Sequence, residues 1–68
     1  MRKKRWNIFW NDGGKWIYQG AIMAATRKSA RTKFNLWLYD RSYNDGSYWI
    51  ETKYANGEVV GFGRYVAK

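Results

Sequence analysis

The side chains that could do chemistry in this chain are few. There are five carboxylates, Asp12, Asp40, Asp45, Glu51 and Glu58, and no histidine or cysteine. Without imidazole the usual general base and the commonest metal ligand are missing. Without thiols there is no thiolate nucleophile, thiolate zinc site or disulfide. Asp12 and Asp45 each stand in Asn-Asp-Gly, where an Asp bonds its own backbone to make a turn. Glu58 flanks Asn56-Gly57, and Asp40 and Glu51 fall on opposite faces of the expected sheet. Ser29, Ser42 and Ser47 have no base nearby in sequence. Gly13-Gly14-Lys15 lacks the length and the following helix of a phosphate-binding loop, and Gly61-Phe62-Gly63 is too short to count. The sequence therefore predicts no catalytic residue, no metal and no cofactor, and a protein that is not an enzyme.

Charge gives the stronger signal. Thirteen Lys and Arg against five acids leave +8 on 68 residues. Such a field favours polyanionic partners. Arg2, Lys3, Lys4 and Arg5 form one basic run, a candidate flexible arm over residues 1–5. Arg27, Lys28, Arg31 and Lys33 form a second. Arg27 and Lys28 fall in the first turn of an expected helix, where the macrodipole opposes cations and suits phosphate. A cation there that weakens the helix is explained by an anionic partner, or by long side chains bending into water.

Aromatic residues supply the second half of a binding surface. Five Trp, six Tyr and three Phe are present. Over residues 35–64 one expected sheet face carries Trp37, Tyr39, Arg41, Trp49, Glu51, Lys53, Val60, Phe62 and Arg64. Rings interleaved with cations suit unpaired nucleic acid, with bases stacked on rings and phosphates held by Lys and Arg. The competing reading is a second small core, with Trp49 over Arg64 as a cation–π pair. The opposite face, with Leu36, Leu38, Tyr48, Ile50, Tyr54, Val59 and Tyr65 beside Gly61 and Gly63, is expected to lie under the helix.

The elements that position these residues follow from periodicity. Residues 4–10 and 15–22 alternate as strands, with Trp6, Ile8 and Trp10 on one side of the first. The stretch "WNDGGKWI" at 10–17 is echoed by "YNDGSYWI" at 43–50. Each Asn-Asp-Gly suits a three-residue hairpin loop with glycine in the left-handed position. That loop pairs Trp10 with Gly14, Ile8 with Trp16 and Trp6 with Tyr18. In the second copy it pairs Tyr43 with Ser47, Arg41 with Trp49 and Tyr39 with Glu51. Thr26 is the expected N-cap of a helix over 27–34. Residues 35–41 fit either a helical extension through Trp37 and Leu38 or a strand, and the strand is preferred. Residues 47–54 and 58–66 follow as strands around a two-residue Asn56-Gly57 turn. That turn sets Ile50 against Gly63 and Trp49 against Arg64.

The expectation is one α+β domain over 1–68: an antiparallel sheet of about five strands with one short helix, in the order β-β-α-β-β-β. No apolar run approaches the roughly 20 residues of a membrane span. No apolar stretch follows "MRKKRW" as in a secretory leader. With no cysteine, a cytoplasmic protein is expected. So thin a core also leaves room for a homodimer, since oligomerisation is another way for a small chain to gain core. The expected function is non-enzymatic binding of nucleic acid, DNA or RNA, through the Lys/Arg clusters and sheet aromatics. The alternative is a phage-type inhibitor or adaptor whose Trp, Tyr and Arg dock on a larger host protein, at its own nucleic-acid-binding site.

Overall fold

A computed structural model describes residues 2–40 and 45–67. Among them are four strands and one helix: β1 (Lys4–Asp12), β2 (Lys15–Ala24), α1 (Arg27–Tyr39), β3 (Gly46–Lys53) and β4 (Val59–Val66). The strands form one sheet in the order β2-β1-β3-β4. Every neighbouring pair is antiparallel. The fold is therefore a small α+β domain, and the expected fifth strand and β-β-α-β-β-β order are corrected to β-β-α-β-β. No helix among the described residues is long and apolar enough to cross a membrane.

The missing strand is the second half of the helix. Thr26 caps α1 as expected, its hydroxyl accepting from the Ser29 N–H at 3.1 Å. Beyond residue 34 the chain stays helical to Tyr39, because Ala30, Phe34 and Leu38 bury one stripe at i, i+4 and i+8. Leu36 and Tyr39, expected on a strand, lie exposed on the helix. The Asp40 N–H donates to the Leu36 carbonyl at 3.0 Å and ends the helix. Thus no strand precedes the second Asn-Asp-Gly among the described residues, and Trp49 and Glu51 pair with β1 and β4 instead of the expected partners. Tyr39 is helical, Glu51 pairs with Asn7 and Gly61 instead, and Arg41, Tyr43 and Asn44 lie outside the described residues.

The first hairpin turns on the two residues Gly13-Gly14 rather than on the three expected, Asn11-Asp12-Gly13. Gly13 and Gly14 both take positive φ, 59° and 99°, and form a two-residue loop whose twist matches the strands it joins. The Asn11 side-chain oxygen accepts from the Gly14 N–H at 2.8 Å. Trp10 pairs with Ile17 rather than Gly14. A bulge follows: Phe9 faces Tyr18 and Ile8 faces Gly20, leaving Gln19 as the extra residue. Trp6 then pairs with Ile22 rather than Tyr18.

The last hairpin errs in the other direction. The Tyr54 N–H donates to the Glu58 carbonyl, and the Gly57 N–H to the Tyr54 carbonyl at 2.9 Å. The loop is Ala55-Asn56-Gly57, not the two-residue turn expected. Gly57 alone has positive φ, whereas a type I′ turn needs it at Asn56 too. Ile50 accordingly pairs with Phe62, and Trp49 with Gly63 rather than Arg64. This one-residue shift exchanges the two faces of β4.

The helix covers the face carrying Trp6, Ile8, Ala24, Tyr48, Ile50 and Phe62, which with Ala30, Phe34 and Leu38 make the core. Phe34 packs on Tyr48, ring centroids 5.5 Å apart, and Trp6 on Phe62 at 6.0 Å. The buried Trp6 indole N–H donates to the Ala24 carbonyl at 3.0 Å. The one buried polar residue described, Thr52, donates its hydroxyl to the Arg5 carbonyl at 2.7 Å. That bond ties the start of β1 to the end of β3.

Candidate nucleic-acid interface

Alternation puts the partners of the core residues on the other side of the sheet, and no described element covers that side. On β1 these are Asn7 and Phe9; on β3, Trp49, Glu51 and Lys53. Phe9 stands opposite Trp49 on one side and opposite Tyr18 on the other. The Phe9 and Tyr18 rings meet edge to face at 5.8 Å. Trp16 and Tyr18 are each 50% exposed. Phe9, Trp16, Trp49 and Glu51 line an open cavity of about 440 Å³. A row of rings therefore crosses β2, β1 and β3 on the uncovered face.

Two glycines of β4 make room for Trp49, the last ring of that row. Gly63 pairs with Trp49 and Gly61 with Glu51. A Cβ on Gly61 would lie 2.7 Å from the Trp49 ring, so the indole lies down over the bare β4 backbone. Its N–H donates to a Glu51 carboxylate oxygen at 2.7 Å, which fixes the ring plane.

The second basic run starts near the end of β2, but its Arg27 and Arg31 side chains lie on the helix side of the sheet, whereas Arg5 lies on the uncovered side. Lys4 pairs with Ala24, and α1 begins at Arg27, close after the end of β2. The Arg27 and Arg31 guanidiniums stand 5.8 and 5.7 Å from the Phe62 ring. With Lys28 they line a shallow hollow of about 410 Å³. Arg5 is exposed, and its guanidinium donates to the Tyr18 hydroxyl at 3.0 Å, bridging the first basic run to the aromatic row. Continuing the Asn7–Glu51 register by two residues sets Arg5 beside Lys53. Arg2 and Lys3 are exposed just before β1, and the Lys4 ammonium lies 4.9 Å from the Tyr54 ring.

Not every expected site residue belongs here. Trp49 and Lys53 lie on the uncovered face. Trp37 is on the helix, stacked on Phe34 at 5.9 Å and packed over Gly20, so it is not a sheet platform. Tyr39 is the exposed last residue of the helix. Arg64 stands opposite Tyr48 on the helix side and lines a separate hollow with Tyr39 and Tyr65. Lys33 spends its ammonium on the Met23 carbonyl at 2.8 Å, a structural bond. Arg41 lies outside the described residues. Val60 and Phe62 were expected among these rings and instead face the helix, Phe62 in the core.

Three rings of the uncovered face, Phe9, Trp16 and Tyr18, do not follow from the expected register. The signal was present in Gly13-Gly14, since two adjacent glycines satisfy a two-residue turn better than one glycine satisfies a three-residue loop. Comparison with known proteins finds no matching family model, no matching curated protein and no matching solved structure.

Proposed function

We propose that this chain is a small basic protein that binds nucleic acid with unpaired bases, without catalysing a reaction on it. One observation carries the reading: an uncovered sheet face bears Phe9, Trp16, Tyr18 and Trp49, with the exposed Arg5 guanidinium on the Tyr18 hydroxyl beside them. Rings stack on any base and contribute about 1–3 kcal/mol each, while cations take the phosphates. Arg5, held by the Tyr18 hydroxyl, sits where backbone and base would part. A duplex offers its phosphates but not its base faces, so it engages only half of this surface.

The test is a salt titration of binding to single-stranded DNA, single-stranded RNA and duplex DNA. With about five phosphates neutralised, log affinity should fall with log salt at a slope of about −3.5 on a single strand. Replacing Arg27, Lys28 and Arg31 with Ala should flatten that slope by about 2. Lys33 is left in place because it bonds the backbone of β2. Failure to bind all three at low salt, with a host protein retained from nuclease-treated lysate, overturns the reading in favour of an inhibitor or adaptor.

A further inference from the structure

The cavity on the uncovered face holds one group that can do more than position a ring. Among rings that would take any base stands a carboxylate, Glu51. It is half-buried, and the Trp49 indole N–H holds one of its oxygens at 2.7 Å. A carboxylate is acceptor-only and offers about four lone-pair sites, so one indole bond leaves most of its capacity for a guest. Its neighbour on β4 is Gly61, which puts no side chain beside it, and its neighbour on β1 is Asn7. In a site built to meet phosphate, a negative charge is a cost. Holding the Trp49 N–H uses one of its lone pairs and leaves the second oxygen for a guest.

We infer that this cavity selects unpaired guanine, with Glu51 accepting from the base edge and Phe9, Trp16 and Trp49 as its walls. The inference rests on the nucleic-acid reading above. The four bases differ in what they show a carboxylate. Guanine presents two adjacent donors, the ring N1–H and the exocyclic N2 amino group, which match the two carboxylate oxygens in parallel. Adenine and cytosine present one amino group beside a ring nitrogen lone pair, which the carboxylate repels. Uracil and thymine present one N–H between two carbonyl oxygens. Guanine alone makes two bonds without an opposing lone pair. Three rings and a carboxylate would also receive a methylated ammonium ion. The net charge of +8 repels a free cation, however, and draws in a base carried on a phosphate backbone.

The probe is a short oligothymidylate with one central guanine, compared with the same strand carrying inosine or thymine there. Inosine lacks only the N2 amino group. The guanine strand should bind roughly tenfold tighter than the thymine strand, as one bidentate pair provides, and inosine should lose most of that gain. Glu51→Gln keeps an acceptor for the Trp49 N–H but loses the paired acceptors. It should abolish the guanine preference while leaving thymine-strand affinity unchanged or raised, with unchanged thermal melting. Equal binding of all three strands to the native protein overturns the inference and leaves the nucleic-acid reading standing. A preference that survives Glu51→Gln also overturns it. Displacement by tetramethylammonium at constant ionic strength, without guanine preference, assigns the cavity to a cation instead. If no strand binds even at low salt, both readings fall.

Discussion

Gly61 and Gly63 sit two residues apart on the same face of the same edge strand, yet their replacement by alanine should have opposite effects. Neither has a positive φ, so alanine strains the backbone at neither position. At Gly63 a new Cβ would meet the Trp49 ring at 3.7 Å, an ordinary contact. At Gly61 it would meet that ring at 2.7 Å and the Ile50 carbonyl oxygen at 2.8 Å. Carbon atoms pack at about 3.5–4.0 Å, so ring and strand must separate by about 0.8 Å or more. The ring is not free to swing, because its N–H is bonded to Glu51, and the carbonyl belongs to a strand paired on both sides. Overpacking of this kind costs about 1–3 kcal/mol. Both substitutions recover the same entropic gain over glycine, about 0.5–1 kcal/mol, so it cancels in their difference. Gly61→Ala should therefore be less stable than Gly63→Ala by about 1–3 kcal/mol, and Gly63→Ala should match or exceed the native protein. In a domain of this size each kcal/mol moves the melting temperature by about 4–8 °C. Thermal unfolding followed by circular dichroism measures the difference. Trp49→Ala in the Gly61→Ala background should return part of the loss, since it removes one of the two obstructions. Equal melting temperatures for the two alanine variants would refute the placement of Trp49 over β4.

Two further substitutions probe the core and the helix. Ile50→Ala, at a fully buried side chain facing Phe62 across the sheet, should cost about 2–5 kcal/mol in denaturant unfolding. Thr26→Ala removes the acceptor of the Ser29 N–H and should cost about 1 kcal/mol. Its effect on nucleic-acid affinity should be small once folding is complete.

Much of the architecture is legible in the sequence because several local signals agree. The alternation of Trp6, Ile8 and Trp10 marks β1, and Ile50 faces the core while Trp49 faces away, as adjacent residues on a strand must. Thr26 marks the helix start by its capping chemistry. The helix end is harder to read because Phe34, Trp37 and Leu38 fit a helical stripe while Leu36 and Leu38 alternate with Trp37 and Tyr39. Tertiary packing decides that conflict. A helix reaching Leu38 buries Leu38 in the core and lays Trp37 over Gly20 against Phe34, and a strand from residue 35 would do neither.

The candidate site is less legible than the fold because its makeup depends on turn length. Side chains alternate with period two, so a loop shorter or longer by one residue moves a whole strand's residues to the opposite face. At the last hairpin, the added residue in the loop sends Phe62 into the core and brings Gly61 and Gly63 under Trp49. At the first, the Gly13-Gly14 turn and the bulge at Gln19 act together. The turn sets Trp16 and Tyr18 on the uncovered face beside Phe9, and the bulge then returns Ile22 and Ala24 to the helix side. Without the bulge, β2 would have to choose between presenting Tyr18 and burying Ala24. The extra residue lets one strand serve the platform near the turn and the core near the helix. Arg5 reaches Tyr18 on the face that the turn gives Tyr18. Bulges often re-aim side chains at functional sites, and this one turns Ile22 and Ala24 to the helix while Trp16 and Tyr18 keep the uncovered face.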